Sequence, residues 1–96
     1  MKVVIRSYSG KGAKETFDAL EQQSADVERL LRSVKGFVSY TLAHTEHGGL
    51  SVTVCQDQAG IDESLLKAKD YIARNIPDTG ASAPEVTVGH VILQLT

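Results

Sequence analysis

The sequence predicts an α+β domain with one four-stranded antiparallel sheet and two helices on one of its faces. Three observations predict it. The hydrophobic period switches between two residues and three to four along the chain, in the order β-α-β-β-α-β. Turn formers stand at each switch: "SGKG", "KGF", "TEHGG" and "PDTGASAPE". The 96 residues, 42% hydrophobic and 23% charged, suffice for a single small globular domain over residues 1–96.

The first strand runs from Met1 to Tyr8, where Val3, Val4 and Ile5 are β-branched and "SGKG" ends the run. From about Gly12 to Val34 the period is helical, with Phe17, Leu20, Val27, Leu31 and Val34 on one stripe. Ser24 interrupts that stripe, and "SADVE" resembles a new N-cap, so a kink or restart is expected there. Gly36 can take the left-handed conformation that closes the helix. Phe37 opens a strand with Val38, Tyr40 and Leu42 assigned to one face and Ser39, Thr41 and Ala43 to the other. In "TEHGG" the two glycines, Gly48 and Gly49, are expected to supply the positive φ of a hairpin turn. "LSVTVCQD" resumes the alternation. A second helix covers roughly Ile61 to Asn75, with Ile61, Leu65, Ala68, Ile72 and Ile76 inward and Pro77 as its stop. "VTVGHVILQL" is the last strand.

With right-handed crossovers this order is the split βαβ, ferredoxin-like arrangement. Taking the most apolar set on each strand as the helix side places Val3, Ile5, Tyr40, Leu42, Val52, Val54 and Leu93 beneath the helices. The opposite face then carries Val4, Arg6, Tyr8, Ser51, Thr53, Cys55 and His90. A semi-polar face of that kind suits burial against a second sheet, so a homodimer is expected. A chain this short hides only roughly 60–65% of the surface its unfolded form exposes, which points the same way.

Layout and local sequence together resemble the dimeric α+β barrel superfamily, which includes the antibiotic-biosynthesis monooxygenases, the haem-degrading oxygenases and the stress-responsive A/B barrel proteins. "LLRSVKGFVSYTL" is similar to the helix–Gly–Phe–strand passage common there, and the resemblance covers nearly the whole chain. It implies two ferredoxin-like subunits packed sheet to sheet, with any ligand held in a cleft between sheet and helices of each subunit. Monooxygenase-like members usually carry a Trp at the end of the third strand and a His in the second helix. The corresponding passage here, "VCQDQAGIDESLLKAKDYIARN", has neither. The haem degraders use an Asn, Trp and His set, whereas this chain has no Trp and one Asn, Asn75. No catalytic residue is therefore assigned.

Composition narrows the partners. A net charge of −2 gives no electrostatic reason for nucleic acid, and two Phe and three Tyr make a poor stacking platform. The apolar run in "MKVVIRSYSG" is too short for a signal peptide or a spanning helix, so no membrane partner is expected. A single cysteine, Cys55, excludes an intrachain disulfide and favours a cytoplasmic setting. Cys55 itself reads as a packed, inert thiol.

Tyr40 and His44 are the expected ligand contacts. They share a face near the end of a strand, where a helix–sheet cleft would open, and pair a phenol with an imidazole that titrates near neutral pH. His47 lies in the hairpin turn, and His90 is placed on the opposite face. No two histidines show ligand spacing on one element, so neither metal nor cofactor is expected. "SYSGKGAKE" lacks both the Walker and the dinucleotide spacing and reads as a strand–helix turn. The function expected is a barrel that binds a small, partly apolar or aromatic molecule without turnover. The alternative is a cofactor-independent monooxygenase-like enzyme acting on an aromatic or quinone-like compound.

Overall fold

A computed structural model describes residues 1–96. Its elements are β1 (Lys2–Ser9), α1 (Ala13–Gln22), α2 (Ser24–Arg32), β2 (Phe37–Thr45), β3 (Gly48–Cys55), α3 (Gln58–Asn75) and β4 (Glu85–His90). The four strands form one antiparallel sheet in the order β2-β3-β1-β4, as the ferredoxin-like arrangement requires. The restart expected at Ser24 is present. The first helical limb is two helices hinged at Gln23, and its stripe of Phe17, Leu20, Val27, Leu31 and Val34 is buried throughout.

α2 ends at Arg32, and Val34 to Phe37 make a tight turn in which Phe37 N–H donates to the Val34 carbonyl. Gly36 sits in it at φ 80°, the left-handed value expected from the sequence. α3 starts three residues earlier than its apolar stripe suggests, because the Asp57 carboxylate accepts from the Gly60 N–H at 3.0 Å and caps the first turn.

Three expectations are corrected. Gly48 and Gly49 lie inside β3 without positive φ, and the two-residue turn is Glu46-His47. Glycine is needed there for space: a Cβ on Gly49 would stand 2.3 Å from the Phe17 ring, and one on Gly48 2.3 Å from the Tyr8 carbonyl oxygen. The last strand stops at His90. Its ladder with β1 ends at the Lys2–His90 rung, the Val91 N–H still donates to the Met1 carbonyl, and 91–96 lie outside the sheet.

The third correction concerns the two faces of the sheet. β2 is oriented as expected, with Tyr40 and Leu42 under the helices. β1, β3 and β4 are inverted. Val4, Arg6, Tyr8, Ser51, Thr53 and Cys55 are the buried, helix-side residues, and Val3, Ile5, Leu50 and Val52 lie on the outer face, half-buried. His90 falls in the helix-side column with Lys2, whose Nζ is 3.3 Å from its Nε2. Volume rather than polarity decides this. α1 and α3 pack onto β3, with Phe17 over Gly49 and Ile61 against Cys55, and the small Gly49, Ser51, Thr53 and Cys55 leave room for them.

Candidate functional site

β1 carries the chemistry. Alternation sends Val4, Arg6 and Tyr8 to the same face, and the helices cover them unequally. Val4 is sealed by Val34, Cys55 and Ile61. Tyr8 packs edge-on against Phe17, ring centroids 5.4 Å apart. Past Arg6 and Tyr8, on the β4 side, the second half of α3 and the segment 77–84 stand off the sheet and border an open cavity of about 520 Å³. Arg6 and Tyr8 border it on the sheet side, Leu65, Lys69 and Ile72 on α3, and Val86 on β4. The segment is tied to α1: Thr16 Oγ1 donates to Thr79 Oγ1 at 2.9 Å, and Ala81 N–H donates to the same oxygen at 3.3 Å.

Arg6 is 7% exposed, and the one hydrogen bond of its guanidinium is Nη2 to Tyr8 Oη, 2.5 Å. None of the five ion pairs of the chain includes it. Behind Arg6 the cleft narrows to an apolar crevice of about 20 Å³, roughly one water's worth of room. Tyr40 borders that crevice and also a second hollow, about 480 Å³, between α2 and the β2 edge. Burial pushes the Tyr40 phenol up to about 12, against weaker opposing effects of Arg6 and the Ser51 hydroxyl. Burial also raises Tyr8, again opposed by Arg6. Both phenols are therefore protonated donors at neutral pH.

His44 is elsewhere. It is exposed near the end of β2, its Nε2 2.8 Å from Glu21 Oε1 on α1, and borders a third hollow with Phe17 and Leu42. Tyr40 and His44 thus share a face of β2 without sharing a cavity. Asp18, Glu21 and His44 hold potential ligand atoms within 4.8 Å of one another. All three are exposed, so a cation there would have to compete with full hydration of its donors. Cys55 is fully buried, and desolvation, with the charges of Asp57 and Glu63, raises its thiol, which makes it a poor nucleophile.

Sequence reasoning overlooked Arg6 and Tyr8 as site residues. The available signal was Arg6 itself, a cation in the alternating run "VVIRSY", but it was assigned to the wrong face.

No protein-family model matches the chain, and no curated protein matches it. Solved structures do. A haem degrader from Mycobacterium tuberculosis, MhuD, with two haems in its active site, superposes with TM-score 0.69 at 15% identity, covering 100% of both chains. A candidate antibiotic biosynthesis monooxygenase from Deinococcus radiodurans gives 0.68 at 13% identity, over 100% of this chain and 97% of the other. A monooxygenase of Streptomyces coelicolor from the gene ActVA-Orf6, in complex with nanaomycin D, gives 0.62 at 16%, over 99% and 89%. At these identities the likeness is one of fold. The chain has the fold of the dimeric α+β barrel proteins that its sequence resembles.

Proposed function

We propose that this protein binds a small, partly apolar or aromatic molecule without turnover, in the cleft between its sheet and helices. The observation that carries the reading is the cavity of about 520 Å³ beside Arg6 and Tyr8, well within the range of small-molecule sites. Half of its lining residues are hydrophobic, and its polar groups converge from β1, α1, α3 and the 77–84 segment. Its lining includes no carboxylate, imidazole or thiol, the groups that most readily exchange a proton near neutral pH, and this favours binding over catalysis. In this reading Tyr40 meets the ligand through the crevice behind Arg6, and His44 serves a separate hollow beside Phe17 and Leu42. The enzyme alternative, a cofactor-independent monooxygenase-like activity on an aromatic or quinone-like compound, draws its support from the monooxygenases among the structural neighbours.

The proposal includes a cytoplasmic homodimer. A half-buried outer face built on Val3, Ile5, Leu50 and Val52 is the kind of surface a second sheet covers. The unpaired, buried thiol suits a reducing compartment. No helix is long and apolar enough to cross a membrane.

Thermal melting against a panel of aromatic acids, quinones and hydroquinones tests the reading. At least one compound should raise the wild-type midpoint, and Ala73→Trp, which fills the cavity from its α3 wall, should abolish the rise. No rise from any compound would sink it. Oxygen uptake with a hydroquinone, reduced in Tyr40→Phe or His44→Ala, would instead support the enzyme alternative.

A further inference from the structure

We infer that the molecule bound in this cleft is an organic carboxylate, its anionic group held by Arg6 and its apolar body lying along α3. The inference rests on the binding reading above and specifies its ligand. Arginine keeps its charge at every pH a protein experiences and presents five N–H donors in a planar fork. At Arg6 this cation is more than nine-tenths buried, yet it has one neutral partner, the Tyr8 hydroxyl, and no carboxylate. A buried charge without a counter-charge is among the costliest features a fold can carry, and native chains keep one where something else supplies the opposite charge.

The surroundings say what that is. A partner subunit seated on the outer sheet face would not reach Arg6, which lies on the helix side of β1. The guanidinium borders the large cavity, and no nitrogen of it is both sealed from solvent and unbonded. Its free donors therefore face the cavity or the adjoining crevice. Lys69 stands on the α3 wall and adds a second positive charge, and no acidic residue lines the cavity. The fork matches the two oxygens of a carboxylate. Leu65, Ile72, Ile76 and Val86 fit an apolar body rather than a small hydrated anion such as phosphate.

The test uses 2-naphthoate and octanoate, each beside its neutral amide, titrated calorimetrically into wild type, Arg6→Met and Arg6→Lys at neutral pH. Wild type should bind at least one acid about tenfold more tightly than its amide. Arg6→Met should lose that preference while keeping its affinity for the amide, and Arg6→Lys should keep part of it. Unliganded Arg6→Met should melt no lower than wild type, since it removes an uncompensated charge. An arginine with a purely structural role would give a large fall in midpoint, which overturns the inference. Equal binding of acids and amides by wild type, or a preference that survives Arg6→Met, also overturns it and leaves the cleft reading intact. Displacement of naphthoate by millimolar inorganic phosphate would overturn the assignment to an organic acid. If neither pair binds, the inference falls, while the wider compound panel decides the cleft reading separately.

Discussion

At the scale of single residues, side-chain size and charge compete for the space under the helices. Gly49, Ser51 and Thr53 are there because Phe17 and its neighbours need room, and Tyr40 is there although burial opposes ionisation of its phenol. For Tyr40 this has a consequence at high pH. Its folded pKa, about 12, lies above the unfolded value near 10, so the unfolded chain loses the proton first. The stabilising contribution is complete below pH 10 and is lost as pH rises from about 10 to about 12. It is on the order of 2 kcal/mol. Urea unfolding at pH 9, 10 and 11 should show a steeper loss in wild type than in Tyr40→Phe. Parallel curves would mean that the Tyr40 phenol is not desolvated in the folded chain.

At the scale of elements, termini and caps set boundaries that apolar periodicity alone misplaces. α3 is the helix whose N-cap side chain is bonded; α1 and α2 begin at Gly12 and Gln23 without one. Asp57→Ala should therefore destabilise the protein by about 1 kcal/mol, read as a shift in the urea midpoint at unchanged slope. No change would mean that packing of Ile61 and Ser64 alone defines the helix start. β4 illustrates the converse. "VTVGHVILQL" is rich in apolar and β-branched residues to its end, yet a strand lasts only as long as its backbone groups are paired, and the ladder with β1 ends at the Lys2–His90 rung. Beyond that point Ile92, Leu93 and Leu95 are 97%, 74% and 83% exposed.

At the scale of the molecule, 21 of 96 residues are buried, a thin core for a chain that also leaves an apolar sheet face and an apolar tail uncovered. Association of two copies would cover both. Light scattering at micromolar concentration should report a dimer for wild type. Val52→Lys, at the centre of the outer face, should give a folded monomer, and removal of residues 92–96 should weaken association. A wild type that remains monomeric would end the dimer proposal.

The fold was legible because it follows from local chemistry: the period of apolar residues, the break at Ser24, the left-handed glycine at Gly36 and the stop at Pro77 each act within a few residues. Tyr40 lies under the helices as the more apolar set of β2 suggests, but the same guide fails on the other three strands. The side of the sheet on which Arg6, Tyr8 and Cys55 lie was not legible, because alternation gives two faces and does not say which one the helices cover. Apolarity was the wrong guide to that choice. Sequence by itself determined the order of elements and the buried stripe of α1 and α2. The tertiary structure alone decided which strand face lies inside and where the helices stand away from it, because both depend on how bulky helix side chains meet small strand ones across the chain.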